Sequence, residues 1–215
     1  MRYILLNLAI LFLTACSLFG AHEYEQNPDP NHTHADFALY VEDEKIDFAI
    51  PEYMSGVSYN EESHDEEHEY HHEYLHLHDD VGHVIHTHKQ GLTIGTFFSS
   101  IGFVITANCI QLDSGVDVCP ERDYAWHMYI RKKPLNKDES WQEIDLTPDY
   151  IFDDMDQILL TYQSSDPVSK LRIQKQQEQM TDDACLYSQT CPWKGDPPTE
   201  NCIADPDVPC VAPLD

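Results

Sequence analysis

Basic residues are scarce in this chain: 12 Lys+Arg stand against 39 Asp+Glu, for a formal net charge of −27. Such a field repels phosphate backbones, which excludes nucleic acid as a partner. A Gly-rich phosphate loop, a dinucleotide fingerprint and a Ser/His/Asp set are all missing, so no catalytic residue is assigned. The apolar run at residues 3–13, interrupted by Asn7, falls short of the roughly 20 residues of a spanning helix.

That run follows Arg2 and leads into Leu13-Thr-Ala-Cys16, which resembles a lipobox. Residues 1–15 are therefore expected to be a lipoprotein signal peptide, with Cys16 lipidated after cleavage. Residues 16–31, containing Asn27-Pro-Asp-Pro30, read as a tether. Export to the bacterial cell envelope, held to the membrane only by the lipid anchor, is the expectation.

Beyond Cys16 the cysteines are Cys109, Cys119, Cys185, Cys191, Cys202 and Cys210, an even number that suits disulfides in an exported chain. Cys109 and Cys119 are symmetric about Ser114 in Leu112-Asp-Ser-Gly115, so on a hairpin they face each other. The other four are expected to pair sequentially. An oxidising compartment disfavours a thiolate metal site.

Histidine is plentiful. Of 13, six fall in the pairs His32/His34, His76/His78 and His86/His88. Side chains two apart on a strand point the same way. A hairpin centred near Gly82 sets His76 opposite His88 and His78 opposite His86. Cross-strand neighbours lie about 4.5–5.5 Å apart, near enough for several imidazoles to share an ion about 2.0–2.1 Å from each nitrogen. Imidazole suits copper and zinc. Asp79 and Asp80 are candidates to hold an imidazole tautomer.

The apolar residues supply the frame. Phe37, Leu39 and Val41, then Ile46, Phe48 and Ile50, alternate with polar neighbours across Glu42-Asp-Glu-Lys45, predicting a hairpin with one buried face. His32 and His34 share the parity opposite that face, as do the later pairs relative to Leu75, Leu77 and Ile85. The acidic, His-rich stretch 61–74 has almost no aliphatic residues and reads as an insertion, with His64, His68, His71 and His72 as accessory ligands.

Residues 91–102 predict a helix packing Phe97, Phe98 and Ile101 and stopped by Gly102. Strands are expected at 103–110, 124–130 and 157–162, with turns at Lys133-Pro134 and Asp153-Asp154, then a helix opening at Asp166-Pro167. The predicted fold class is α+β: a small mixed sheet of hairpins with one packed helix, β-grasp-like, over 32–163. Residues 164–215 follow as a helix plus a disulfide-stapled tail.

Some strings imitate catalytic signatures. His72-Glu-Tyr-Leu-His76 has the zincin lettering, but that chemistry needs a helix, and the Leu/His alternation from Leu75 is strand-like. His32-Thr-His-Ala-Asp36 and His76-Leu-His-Asp-Asp80 resemble the metallo-β-lactamase pattern but continue with Phe37 and Val81 where that pattern has His. His127 reads as an exposed strand residue, with Met128 on the opposite face.

Taken together, His32-Thr-His-Ala-Asp-Phe-Ala-Leu-Tyr-Val41, Leu75-His-Leu-His-Asp-Asp-Val-Gly-His-Val-Ile-His86 and Gly91-Leu-Thr-Ile-Gly-Thr-Phe-Phe98 resemble a group of uncharacterised exported proteins of bacteria and archaea. The likeness extends through Cys109, Cys119 and Asp153-Asp-Met-Asp-Gln-Ile158. It implies a shared His-rich scaffold and carries no activity.

The sequence thus points to a cell-surface lipoprotein that binds copper or zinc through His32, His34, His76, His78, His86 and His88, for binding, storage or delivery. A structural or adhesive histidine face is the first alternative, and a metal-dependent hydrolase or lyase the second.

Overall fold

The computed structural model describes residues 24–55, 72–132 and 140–198. The expected signal peptide, Cys16, residues 16–23 of the tether, His64, His68, His71, the Lys133-Pro134 turn, Cys202 and Cys210 lie outside the described residues.

The chain is an α+β protein built on a mixed sheet. Its strands are β1 (Thr33–Val41), β2 (Glu44–Lys45), β3 (Leu75–His76), β4 (Val84–Thr87), β8 (Tyr124–Arg131), β9 (Gln142–Ile144) and β10 (Gln157–Ser164), while β5 (Val104–Ile105), β6 (Ile110–Gln111) and β7 (Asp117–Val118) form a separate small sheet. The order across the main sheet is β3-β4-β1-β10-β8-β9. First and last strands run parallel at its centre, Phe37 beside Ile158 and Leu39 beside Leu160, and every other pairing is antiparallel. The parallel central pair with antiparallel strands outside it is β-grasp-like, with β3 added at the β4 edge.

Alternation along β1 explains the layering. Ala35, Phe37 and Leu39 enter the main core with Phe97 and Phe98 of helix α1 (Ile94–Ser100), whose N-terminus is capped by the Thr93 side chain accepting from Thr96 N–H. His34, Asp36, Ala38 and Tyr40 face the other way. A solvated face was expected there, yet all four are buried. Helix α2 (Pro167–Glu178) covers part of it, Thr161 donating to Gln176 at 2.8 Å, and the short α3 (Ala184–Tyr187) packs against β1. The described part of the predicted helix and tail, to residue 198, therefore packs on the sheet as a layer of the domain. Its polar composition hid that, because α2 docks through Ser169 and Gln176 as well as Ile173.

Three further expectations are corrected. The hairpin partner of β1 is only two residues long, because β4 occupies the first half of the same edge of β1. Residues 46–50 leave the sheet and cross the turn at Gly82, where an added Cβ would stand 2.2 Å from Ala49 N. Only glycine fits that approach. Second, residues 24–31 are not a tether. Glu25 N–H donates to Thr190 O at 2.7 Å, Tyr24 packs on Trp193, and Asn27 donates to His32 O and to Asp154.

The expected strand at 103–110 is instead the ends of β5 and β6, broken by a turn in which Thr106 N–H donates to Cys109 O. Cys109 pairs with Cys119 across the β6–β7 hairpin, and Cys185 pairs with Cys191.

Candidate metal centre

Six histidines that sequence spacing brought into pairs are brought by the sheet into one neighbourhood. His34 on β1 is the direct partner of His86 on β4, and His86 is in turn the partner of His76 on β3. The three form a row across adjacent strands. One step along, His32 lies tilted against His88, ring centroids 4.1 Å apart, and His88 stacks with His76 at 5.1 Å. The pairing register differs from the hairpin centred on Gly82, which set His76 opposite His88. The tight turn closes earlier, with Val81 N–H donating to His78 O and with Asp79 and Asp80 in the left-handed region at φ 57° and 58°. The slip is an even number of residues, so side-chain parity and the common face survive it.

His78 ends beyond the paired strand yet still reaches the row, its ring centroid 3.9 Å from that of His86. The Asp79 carboxylate accepts from His78 Nδ1 at 2.8 Å, which turns His78 Nε2 toward His86 Nδ1, 3.1 Å away. Asp80 makes no such contact with a ring among those described.

Among the described residues His32, His34 and His86 form a group in which one ring nitrogen from each lies within 4.8 Å of the other two. Two nitrogens bound to one tetrahedral ion are roughly 3.3 Å apart at ordinary metal–nitrogen lengths. His32 Nε2 and His34 Nε2 are 3.2 Å apart, so that pair already fits, and a ring nitrogen of His86 lies within 4.8 Å of the other two. These three imidazoles could hold a metal ion.

The site is roofed. Exposure is 0% for His34 and His86, 1% for His88 and 2% for His76. Tyr187 stands edge-on to His86 with centroids 4.7 Å apart, and also contacts His34 and His78. Its neighbour Ser188 meets His34 Nδ1 at 2.8 Å. Both sit inside the loop closed by Cys185–Cys191. The roof is fastened from below by Asp36, whose carboxylate accepts from Thr181 Oγ1 and from the N–H groups of Asp183 and Ala184. Burial pushes the Asp36 carboxyl above its ordinary range, against the opposing pull of those three donors. His83 adds an exposed-side strap, its Nε2 3.0 Å from Asp183.

The Asp of the first His-x-His-x-Asp string is thus an anchor for the roof, not a ligand. Sequence reasoning missed Tyr187, Ser188 and Asp154. The signal for the first two was their place between two closely spaced cysteines; Asp154 read only as a turn residue.

Two other histidines stay apart. His127 pairs with Glu143 at 2.6 Å on β8, with β10 and β1 between it and β4. His72 Nδ1 accepts from Tyr74 N–H, and burial holds its imidazole below the ordinary range. Compared with protein families, curated proteins and solved structures, the chain matches none.

Proposed function

We propose that this protein is an exported, lipid-anchored surface protein that binds a copper or zinc ion through His32, His34 and His86, for retention or delivery. The observation that carries the reading is the convergence to within 4.8 Å of three ring nitrogens, from His34 on β1, His86 on the adjacent β4 and His32 in the segment just before β1. His76, His78 and His88 form the wall around that group and are reserve ligands. Burial of the histidine row speaks against an adhesive face, since rings at 0–2% exposure are covered by the protein's own chain.

The test is isothermal titration of untagged protein with zinc and with copper(II), paired with thermal unfolding. Binding near one ion per chain and a rise in the unfolding temperature are expected, because an ion that binds only the folded state stabilises it. Absence of both with either metal overturns the reading. Globomycin-sensitive labelling of Cys16 with a radiolabelled fatty acid tests the anchor separately.

A further inference from the structure

We infer that Asp154 and Ser188 are a positioning pair that holds His34 in the tautomer with its proton on Nδ1 and its lone pair on Nε2, the form that can ligate through Nε2; the inference rests on the metal-binding reading above. The argument is proton counting. Asp154 Oδ1 accepts from the backbone N–H of His34 at 3.0 Å, an unambiguous donor, and from Ser188 Oγ at 2.5 Å. A carboxylate only accepts, and a serine hydroxyl has a single proton to give. Ser188 gives it to Asp154. Toward His34 Nδ1, 2.8 Å away, Ser188 Oγ is then an acceptor, so Nδ1 carries the ring proton. The lone pair falls on Nε2, the atom 3.2 Å from His32 Nε2 inside the three-histidine group.

Both members of the pair are held in place by further contacts of their own. Asp154 is fixed by Asn27 Nδ2, which donates to its second oxygen at 3.0 Å. Ser188 is 2% exposed, lies between the bonded Cys185 and Cys191, and its N–H donates to Ala184 O at the end of α3. The geometry is that of an outer partner that orients a metal-ligating imidazole through its second nitrogen. Here a hydroxyl relays the carboxylate, and the disulfide loop carries the hydroxyl.

The test uses the full chain, metal-free, with nitrogen-15 NMR of the imidazole nitrogens, followed by zinc titration of wild type, Ser188→Ala and Ser188→Thr. Wild type should show His34 protonated at Nδ1. Ser188→Ala should lose that single tautomer and weaken zinc binding by roughly 10–100-fold, the usual effect of removing an outer partner. Ser188→Thr keeps the hydroxyl and should restore both. An Nε2-protonated His34 in wild type overturns the inference without any variant, as does an unchanged tautomer in Ser188→Ala or a threonine that fails to rescue. A wild-type chain that takes up no zinc overturns the metal reading, while the tautomer still decides the positioning pair.

Discussion

His34 and His86 face each other across β1 and β4 with ring centroids 4.7 Å apart and ring planes at 84°. Both are fully buried, so their meeting is set by strand register and by the segment above them, not by solvent-driven rotamer choice. A two-residue slip of β4 would carry His86 away from His34, and a one-residue slip would turn it into the main core.

Ligand deletion should therefore separate the histidines into groups. His34→Ala and His86→Ala should each weaken zinc binding by more than the roughly 10–100-fold loss typical of an outer partner. His127→Ala, on a strand beyond β10, should leave the affinity unchanged. Removing residues 61–71 should also leave it unchanged. Competition titration with a chromophoric chelator measures all four.

Metal binding should weaken with acid. An imidazole must be neutral to ligate, and its ordinary pKa is about 6.5, so protons displace the ion below that value. Dialysis at pH 7.5 should leave the ion bound and dialysis at pH 5 should release it. Full retention at pH 5 would require ligands other than histidine.

The anchor under the roof has its own pH signature. Burial raises the folded-state pKa of Asp36 above its ordinary value. A raised carboxyl contributes stability that is complete below the unfolded pKa and is lost as pH rises through the folded one. Asp36→Asn sets an amide N–H against the donors now facing the carboxylate and should destabilise the protein by about 1–3 kcal/mol. The gap from wild type should widen as pH is lowered from 7.5 toward 5. Urea unfolding at the two pH values reads it, and a gap that narrows would contradict the sign.

The disulfide in the roof should govern exchange of the ion. Replacing Cys185 and Cys191 together by Ser removes a short cross-link worth about 2–3 kcal/mol in the chain-entropy picture. Tyr187 and Ser188 then lose their tie across the histidine row. Zinc should leave the variant faster in stopped-flow chelation, with a smaller change in the rate of uptake at saturating metal.

Asp79 and Asp80 occupy a turn of the kind that favours glycine. Asp80→Gly should stabilise the fold by ~1 kcal/mol, since a left-handed backbone is costly for residues with a Cβ. Asp79→Gly should relieve the same strain but remove the contact with His78, so its effect on zinc affinity should be the larger of the two.

Much of this arrangement is readable from local pattern. Period-two alternation around Phe37 and Leu39 marks a strand, Gly102 marks a helix end, and the spacing of Cys109 and Cys119 about Ser114 marks a hairpin. The face shared by the histidine pairs follows from the same parity. What local pattern does not carry is the neighbour of each strand. That β4 sits beside β1, uniting the first histidine pair with the other two, depends on long-range pairing. The roof was hidden for a related reason. Residues 181–191 have few aliphatics, and they dock through Asp36, Ser188 and Tyr187, polar and aromatic contacts that hydrophobic periodicity does not register.

The most direct measurement is X-ray absorption on untagged, zinc-loaded protein beside the His86→Ala variant. Three histidine nitrogens at about 2.0–2.1 Å are expected in the wild type, with the outer-shell scattering of imidazole rings, and one fewer or none in the variant. A first shell of oxygen alone, or a spectrum that His86→Ala leaves unchanged, would contradict metal binding at the His32, His34 and His86 group.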